Sequence, residues 1–402
     1  MSSQPVDTSQ PLSGVRVVEI GTFIAGPFAG QQLGDLGAEV IKIEQPGAGD
    51  PMRRWRDFGN GDLWWPSIAR NKQSVTMKLS DPEVRDVFLS LVRSADILIE
   101  NFRPGTIEKW GLGPDILLAE NPRLVITRVS GFGQSGPRAT EPGFGSVGEA
   151  MGGIRHLTGW PDRVSTRAGI SLGDEIASLF ATIGTLGALR HAERTGQGQV
   201  VDVAIYEAVF ALMESTVAEY ELAGHIRGRT GPLLPGVVPS NVYATNDQQE
   251  VLIAANSDAI YHRLIQALGI DELIEDHTLA RHEARADHAD HIDKLIGART
   301  GQMSTDELLK LLVDADVPHG KIYTAADIAT DEHYAARNAI IRRDVDGLGA
   351  VAMPAPTPRL SATPGRIGHV GPPLGAHTDE VLSRICGLDA SALDQLRASG
   401  AI

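Results

Sequence analysis

Through the first half of this chain, short apolar runs alternate with helical segments, and no other feature constrains the fold as strongly. Residues 15–20, 38–44, 74–79, 96–101 and 124–129 read as strands rich in Val, Ile and Leu. Gly26 and Pro27 open a helix after the first of them, where Pro suits the first turn. Asp81-Pro82-Glu83 caps another helix that runs to about Ala95. Apolar strands alternating with helices predict an α/β fold, a parallel sheet covered on both faces.

The pattern then lengthens. Residues 173–193 read as a helix apolar on most sides, and so buried; 200–205 give another strand and 206–222 another helix. Residues 224–238 are rich in Gly, Pro and Arg and read as a linker. A second unit begins near Ser240, with helices over 258–268, 282–299 and 305–315. Prolines at 354, 356 and 358 mark a second linker-like run, and a helical pattern returns near Asp379. A chain of 402 residues suggests more than one domain.

Charge narrows the partners. Lys and Arg number 36 against 51 Asp and Glu, a net of 36 − 51 = −15, which argues against nucleic acid or an anionic membrane as partner. A polyanionic ligand would need locally placed cations. Lys42, Arg53, Arg54, Arg56, Arg70, Lys72, Lys78, Arg103 and Lys109 collect in the first half, several of them after strand ends, where open α/β sheets bind ligands. The single cysteine, Cys386, excludes an internal disulfide, reads as core and fits a reducing compartment. Residues 1–10 lack the apolar stretch of a signal peptide, and no apolar run reaches the length of a membrane span. The expectation is a cytoplasmic protein with no membrane partner.

Several motifs fail on inspection. Gly131, Gly133 and Gly136 match a dinucleotide fingerprint after a strand, but Pro137 and Pro142 follow and no helix starts at the turn; a loop over a ligand fits better. His282, His288 and His291 lie among Asp287, Asp290 and Asp293, without the spacing of a metal site, so no metal is expected. Neither a nucleophile elbow nor a Walker loop is present.

Asp174 stands out. The phrase Arg167-Ala168-Gly169-Ile170-Ser171-Leu172-Gly173-Asp174 delivers a carboxylate to the mouth of the long helix through a small-residue turn. By position alone a helix cap, worth roughly 0.5–2 kcal/mol, explains it best.

Longer phrases change that weighing. Leu12-Ser13-Gly14-Val15-Arg16-Val17, Ala25-Gly26-Pro27, residues 36–44 with Pro46-Gly47-Ala48-Gly49-Asp50, Asn71-Lys72, Glu100-Asn101-Phe102-Arg103-Pro104-Gly105, Ser130-Gly131-Phe132-Gly133, Gly173-Asp174, Thr195-Gly196-Gln197-Gly198-Gln199, Val317-Pro318-His319-Gly320 and Leu374-Gly375-Ala376-His377-Thr378 occur in order. Together they resemble the family III CoA-transferases, the group containing formyl-CoA transferase and carnitine CoA-transferase. The resemblance spans nearly the whole chain. It implies a Rossmann-like large domain built from both chain ends, a smaller inserted α/β domain, and an interlocked homodimer. The expected division is 1–222 large domain, 223–239 linker, 240–328 small domain, and 329–402 linker and return to the large domain.

The resemblance also implies chemistry. The family's nucleophilic aspartate falls on Asp174, which would form an acyl-aspartyl anhydride and then an aspartyl-CoA thioester. Acyl-CoA and small carboxylic acids are the implied substrates, with no tightly bound cofactor. Ile24, Ala25, Met77, Lys78, Ser80, Asn101, Phe102 and Arg103 fall on CoA-contact stretches, and Lys72 and Lys109 are placed with them as cations. Gln45 stands where formyl-CoA transferase has an Arg near the adenine, and Arg138 is the choice for a loop cation. No glycine-rich gating loop follows Gly224, which argues against oxalate or formate. The family's 2-methylacyl-CoA racemases carry a His ahead of the aspartate; here that phrase reads Pro142-Gly143-Phe144-Gly145-Ser146, which favours transfer over racemisation. A CoA-binding homologue without chemistry is the remaining alternative. Arg155, Arg163 and Arg167 precede Asp174, and Arg155 or Arg167 would pair with a second carboxylate on the acyl group, since Arg binds carboxylates bidentately. That predicts succinyl-CoA as donor and a C4–C6 diacid as acceptor. Backbone N–H groups near Gly169 and Gly173 are candidates for oxyanion contacts.

Overall fold

The computed structural model describes residues 9–57, 59 and 61–402. Six strands form one parallel sheet: β1 (Arg16–Glu19), β2 (Glu39–Glu44), β3 (Lys72–Thr76), β4 (Ile97–Glu100), β5 (Val125–Ser130) and β6 (Gln199–Ala204). Their order is β3-β2-β1-β4-β5-β6, so the direction of winding reverses between β1 and β4. The predicted sheet is therefore present. One strand is displaced: β3 starts at Lys72, not Ser74, and the chain leaves the sheet after Thr76. Its first residue is a buried lysine, which an apolar criterion passes over.

The strands are apolar because both faces are covered. On one face, Val18, Ile41, Val75, Leu98 and Ile126 pack with Phe88, Leu91 and Val92 of α2 (Arg85–Arg93). On the other, Val17, Val40, Ile97, Ile99, Val125 and Val129 meet α1 (Ala25–Asp35) and the long helix α4 (Leu172–Thr195). Each buried Val, Leu or Ile contributes roughly 1.5–3 kcal/mol. Between β5 and α4 lies a short helix, α3 (Gly145–Met151). Gly196, with φ of 74°, ends α4 in the left-handed conformation that glycine adopts freely. A side chain at Gly198 would stand 1.9 Å from the Leu124 carbonyl oxygen, so the glycine lets β6 pair beside β5.

Two expectations for this region need correction. Helix α4 is 24 residues long and its most apolar 18-residue stretch has a mean hydropathy of 1.2, which by length and composition alone would suit a membrane span and equally suits a core helix. It is not buried all round. Ile176, Ala177, Ala181, Ala188 and Leu189 face the sheet, while Leu179, Phe180 and Ile183 are exposed in the single chain. The helix expected over 206–222 is two: α5 (Ile205–Phe210) and α6 (Thr216–Ala223), parted by a turn with Glu214 at positive φ.

The described chain forms two compact units. The larger comprises the chain through Arg155, Ala168–Thr216 and Ala336–Ile402; the smaller comprises His156–Arg167 and Val217–Ala335. The smaller has an antiparallel sheet of β7 (Ser240–Ala244), β8 (Glu250–Ala254) and β9 (His319–Lys321). Tyr243, Val251 and Ile253 pack there with Leu264 and Leu268 of α7 (Asp258–Leu268), Ile292 and Ile296 of α8 (Ala289–Thr300), and Leu308 and Leu312 of α9 (Thr305–Asp314). The helix expected over 282–299 is interrupted by a tight turn at Ala286–His288. Arg285 is fully buried and donates to the carbonyls of Val238 (2.9 Å) and Asn256 (2.8 Å), fixing the end of the Gly/Pro-rich segment. In the larger unit, a hairpin of β10 (Ile340–Val345) and β11 (Gly349–Pro354) precedes the last two helices, α10 (Thr378–Cys386) and α11 (Ala390–Ala398). Their residues Val381, Leu382 and Leu393 belong to the same core as Val18 and Leu98.

Candidate active site

The reversal between β1 and β4 opens a crevice at the carboxyl ends of the strands, the place where open α/β sheets take ligands. A buried charge cluster builds its floor. Lys42, 1% exposed, reaches Glu19 (2.9 Å), Asp50 (2.8 Å) and the Gly21 carbonyl (2.9 Å). Lys72, equally buried, reaches the other oxygen of Glu19 (2.8 Å) and the Pro27 carbonyl (2.6 Å). Burial works against both ammonium charges. The carboxylates of Glu19 and Asp50 nevertheless raise Lys42 above the usual lysine range. Burial pushes Lys72 down to about 8, with Glu19 opposing it. Lys72 thus ties α1 to β1 and does not present its charge at the crevice surface.

The loop after β1 is held from three sides. Lys42 binds the Gly21 carbonyl, Asn101 accepts from the Thr22 N–H and donates to the Thr22 carbonyl (2.8 Å each), and Asp50 accepts from the Phe23 N–H (3.2 Å). Asn101 is therefore a clamp on the loop. Beside it lies a pocket of about 130 Å³ with Gln45, Met77, Ser80, Phe102 and Trp110 in its wall. Phe102 and Trp110 meet edge to face at 5.1 Å. Four of the expected contact residues, Gln45, Met77, Ser80 and Phe102, thus line one pocket, with Lys42, Glu44 and Asp50 also in its wall. Lys78 is half-exposed and paired with Asp81 (3.5 Å); Arg103 and Lys109 are exposed. Trp110 was not singled out in the sequence, though its place one residue after Lys109 was the available signal.

Helix α4 brings Asp174 to the same end of the sheet. The Ser178 hydroxyl lies 2.6 Å from the Ala25 carbonyl oxygen and 2.7 Å from that of Asp174, so Ile24, Ala25 and the first turns of α4 are held together. Asp174 is half-buried. Gly145, the first residue of α3, abuts its carboxylate: a methyl group there would stand 2.3 Å from Oδ2. The position where the racemases carry their phrase thus presents a glycine to Asp174, and His156 falls in the other compact unit. Burial raises the neighbouring Glu175 carboxyl above its ordinary value. The Gly173 N–H is engaged by Glu149 Oε1 (3.2 Å), which removes it as an oxyanion donor. Arg155 Nε donates to Glu149 Oε2 (2.7 Å). Arg138 lies over the Phe132 ring (4.4 Å) and pairs with Glu141. Arg167 and Arg163 are exposed, in the segment that packs with the smaller unit. In that unit His291 Nε2 lies 3.1 Å from Glu272. The turn at residues 131–136 runs on without a helix until Gly145, and the Gln134 N–H donates to Asp202 (3.0 Å).

An open sheet with a small pocket at its switch point and a carboxylate at a nearby helix mouth is the frame in which the comparisons fall. The chain belongs to CoA-transferase family III, whose model matches residues 12–378. It is 51% identical, over all of both chains, to a succinyl-CoA–D-citramalate CoA-transferase of Chloroflexus aurantiacus. It is 42% identical to the alpha subunit of a succinyl-CoA–L-malate CoA-transferase of the same organism, covering 96% of this chain and 92% of that one. In structure it resembles a CaiB/BaiF family protein from Brucella suis, at a TM-score of 0.84 and 32% identity, covering 94% of this chain and all of the other. The protein is therefore an enzyme that uses CoA thioesters.

Proposed function

We propose that this enzyme moves CoA from succinyl-CoA to a C4–C6 dicarboxylate, with Asp174 as the nucleophile. One observation carries the assignment: the Asp174 carboxylate stands in the first turn of α4, half-buried, with a glycine packed against it where any side chain would collide with it. The names of the 51% and 42% identical relatives support the donor and the class of acceptor.

The reaction splits one hard transfer into four balanced displacements. An Asp174 oxygen attacks the succinyl thioester, the C–S bond breaks, and CoA thiolate leaves an aspartyl–succinyl anhydride. The thiolate attacks the aspartyl carbonyl and releases succinate. The acceptor carboxylate then attacks the aspartyl-CoA thioester, expelling thiolate and forming a second anhydride. Thiolate attack on the acceptor's carbonyl gives the new CoA thioester and regenerates Asp174. No proton is gained or lost overall, and water must be kept from both anhydrides.

The slot lined by Gln45, Met77, Ser80, Phe102 and Trp110 is the place for the adenine end of CoA, with Lys78, Arg103, Lys109 and Arg138 as phosphate cations. The pantetheine arm then follows Ile24 and Ala25 towards Asp174. Arg167 is the choice for pairing the acceptor's second carboxylate, and Arg167→Ala is expected to erase the preference for diacids over monoacids. The exposed apolar side chains of α3, α4 and α5 (Phe144 beside α3, Val147, Met151, Phe180, Ile183 and Phe210) support a homodimer, interlocked as in the family. A CoA substrate and one unpaired cysteine fit the cytoplasm.

Incubation with succinyl-CoA followed by hydroxylamine or borohydride, read by mass spectrometry, tests the nucleophile. A modification at Asp174 is expected. Exchange of the α-proton in deuterated water without an adduct would point to a racemase, and CoA binding with neither signal to a binding protein.

A further inference from the structure

Glu149 reaches the nucleophile's helix from a different element and is 2% exposed. Its two oxygens are divided. Oε1 accepts from the Gly173 N–H (3.2 Å) and Oε2 from Arg155 Nε (2.7 Å). Gly173 is the residue immediately before Asp174, and its N–H is one of the orphan donors that every helix start leaves. Ser171, at the usual capping position, makes no side-chain cap to α4. The cap is supplied from α3 instead. Contact between the elements is close: a methyl group at Gly173 would stand 2.7 Å from the Gly145 carbonyl and 3.0 Å from Glu149 Cγ.

From this we infer that Glu149 is a positioning residue for Asp174, and that Arg155 acts as its anchor instead of binding substrate. The inference rests on the reading of Asp174 as nucleophile. Glu149 fixes the peptide that carries Asp174, and so sets where its carboxylate points relative to Gly145. A carboxylate suits a helix N-terminus. Left alone so near Asp174, it would repel both that carboxylate and an anionic substrate. The Arg155 guanidinium offsets its charge and holds its rotamer. The arrangement leaves Arg155 tied to the scaffold.

The test compares Glu149→Gln, Glu149→Ala and Arg155→Met with wild type and Asp174→Ala. Read-outs are the rate of the succinyl adduct at Asp174, KM for succinyl-CoA, and the melting temperature. An error of about 1 Å in a reacting group costs on the order of 10²-fold. Glu149→Ala is expected to slow adduct formation by about that factor with KM within about threefold. Glu149→Gln keeps an acceptor for the Gly173 N–H and is expected to recover most of the lost rate. Arg155→Met is expected to lower kcat for monoacid and diacid acceptors alike. Adduct formation at the wild-type rate in Glu149→Ala would overturn the inference. So would equal losses in the Gln and Ala variants, or a loss in Arg155→Met confined to diacids. If Glu149→Ala fails to fold, the Gln and Met variants decide the matter. Absence of any adduct in wild type would instead defeat the nucleophile reading, so the two failures are distinct.

Discussion

Gly145 and Asp174 touch so closely that no other residue fits at 145 unchanged. The built Cβ position lies 2.3 Å from Asp174 Oδ2 and 2.6 Å from its Cγ, well inside any real contact. Replacement must move the carboxylate or the helix. Gly145→Ala is therefore expected to cut kcat by about 10²-fold through misplacement of the nucleophile. Overpacking is expected to cost about 1–3 kcal/mol of stability. Steady-state kinetics beside a denaturation curve check both; transfer at the wild-type rate would show that the position of the Asp174 carboxylate does not limit the reaction.

Ser178 joins α4 to α1 through a buried hydroxyl. Its removal leaves the Ala25 carbonyl without that donor, so Ser178→Ala is expected to destabilise the protein by about 1–3 kcal/mol. The same change loosens Ala25 against Asp174, and KM for succinyl-CoA is expected to rise. Chemical denaturation and initial rates measure the two effects; an unchanged midpoint would argue that the hydroxyl is idle.

Cys386 is the sole thiol, and burial pushes it up to about 11. A folded value above the ordinary 9.0 means that its stability contribution is intact below pH 9 and is lost as pH rises towards about 11. At pH 8 the reactive thiolate is scarce. Alkylation by iodoacetamide, followed by mass spectrometry, is expected to be slow until the protein is denatured. Rapid labelling of native protein at pH 8 would contradict this burial.

Ile183 projects from α4 with 65% of its surface exposed, next to Leu179 and Phe180. Burial of such a face in a dimer makes a charge there costly. Ile183→Glu is expected to shift the protein from dimer towards monomer in light scattering and to reduce its solubility little. A wild-type protein that is monomeric at micromolar concentration would sink the prediction.

The large sheet was legible because strands buried on both faces must be apolar. The exceptions are informative. The beginning of β3 hides a buried ion pair, since Lys72 looks like a surface residue until Glu19 is placed beside it. The hairpin of β10 and β11 was missed because Arg342, Arg343 and Asp344, three charged residues in a row, interrupt the apolar pattern of its first strand on both faces. Asp346-Gly347 at its tip was a usable turn signal. Asp174 was singled out by its own phrase together with the other phrases that occur in order along the chain. Glu149 could not be, because it lies 24 residues from Gly173 and meets it only when α3 folds onto α4. The Thr195–Gln199 phrase proved to serve chain geometry: a left-handed helix end at Gly196 and a close strand approach at Gly198.

The dispersed make-up of the larger unit has a consequence for synthesis on the ribosome. Val381, Leu382 and Leu393 seal the face that already holds Val18, Ile41 and Leu98, and the Lys78 N–H is satisfied by the Ala401 carbonyl (2.8 Å). A nascent chain that has made all six strands still lacks the helices that cover part of that apolar surface. Most of the smaller unit, Val217–Ala335, emerges as one stretch and can close first. The order of folding thus runs against the order of the chain: the first strands to be made are among the last to be covered.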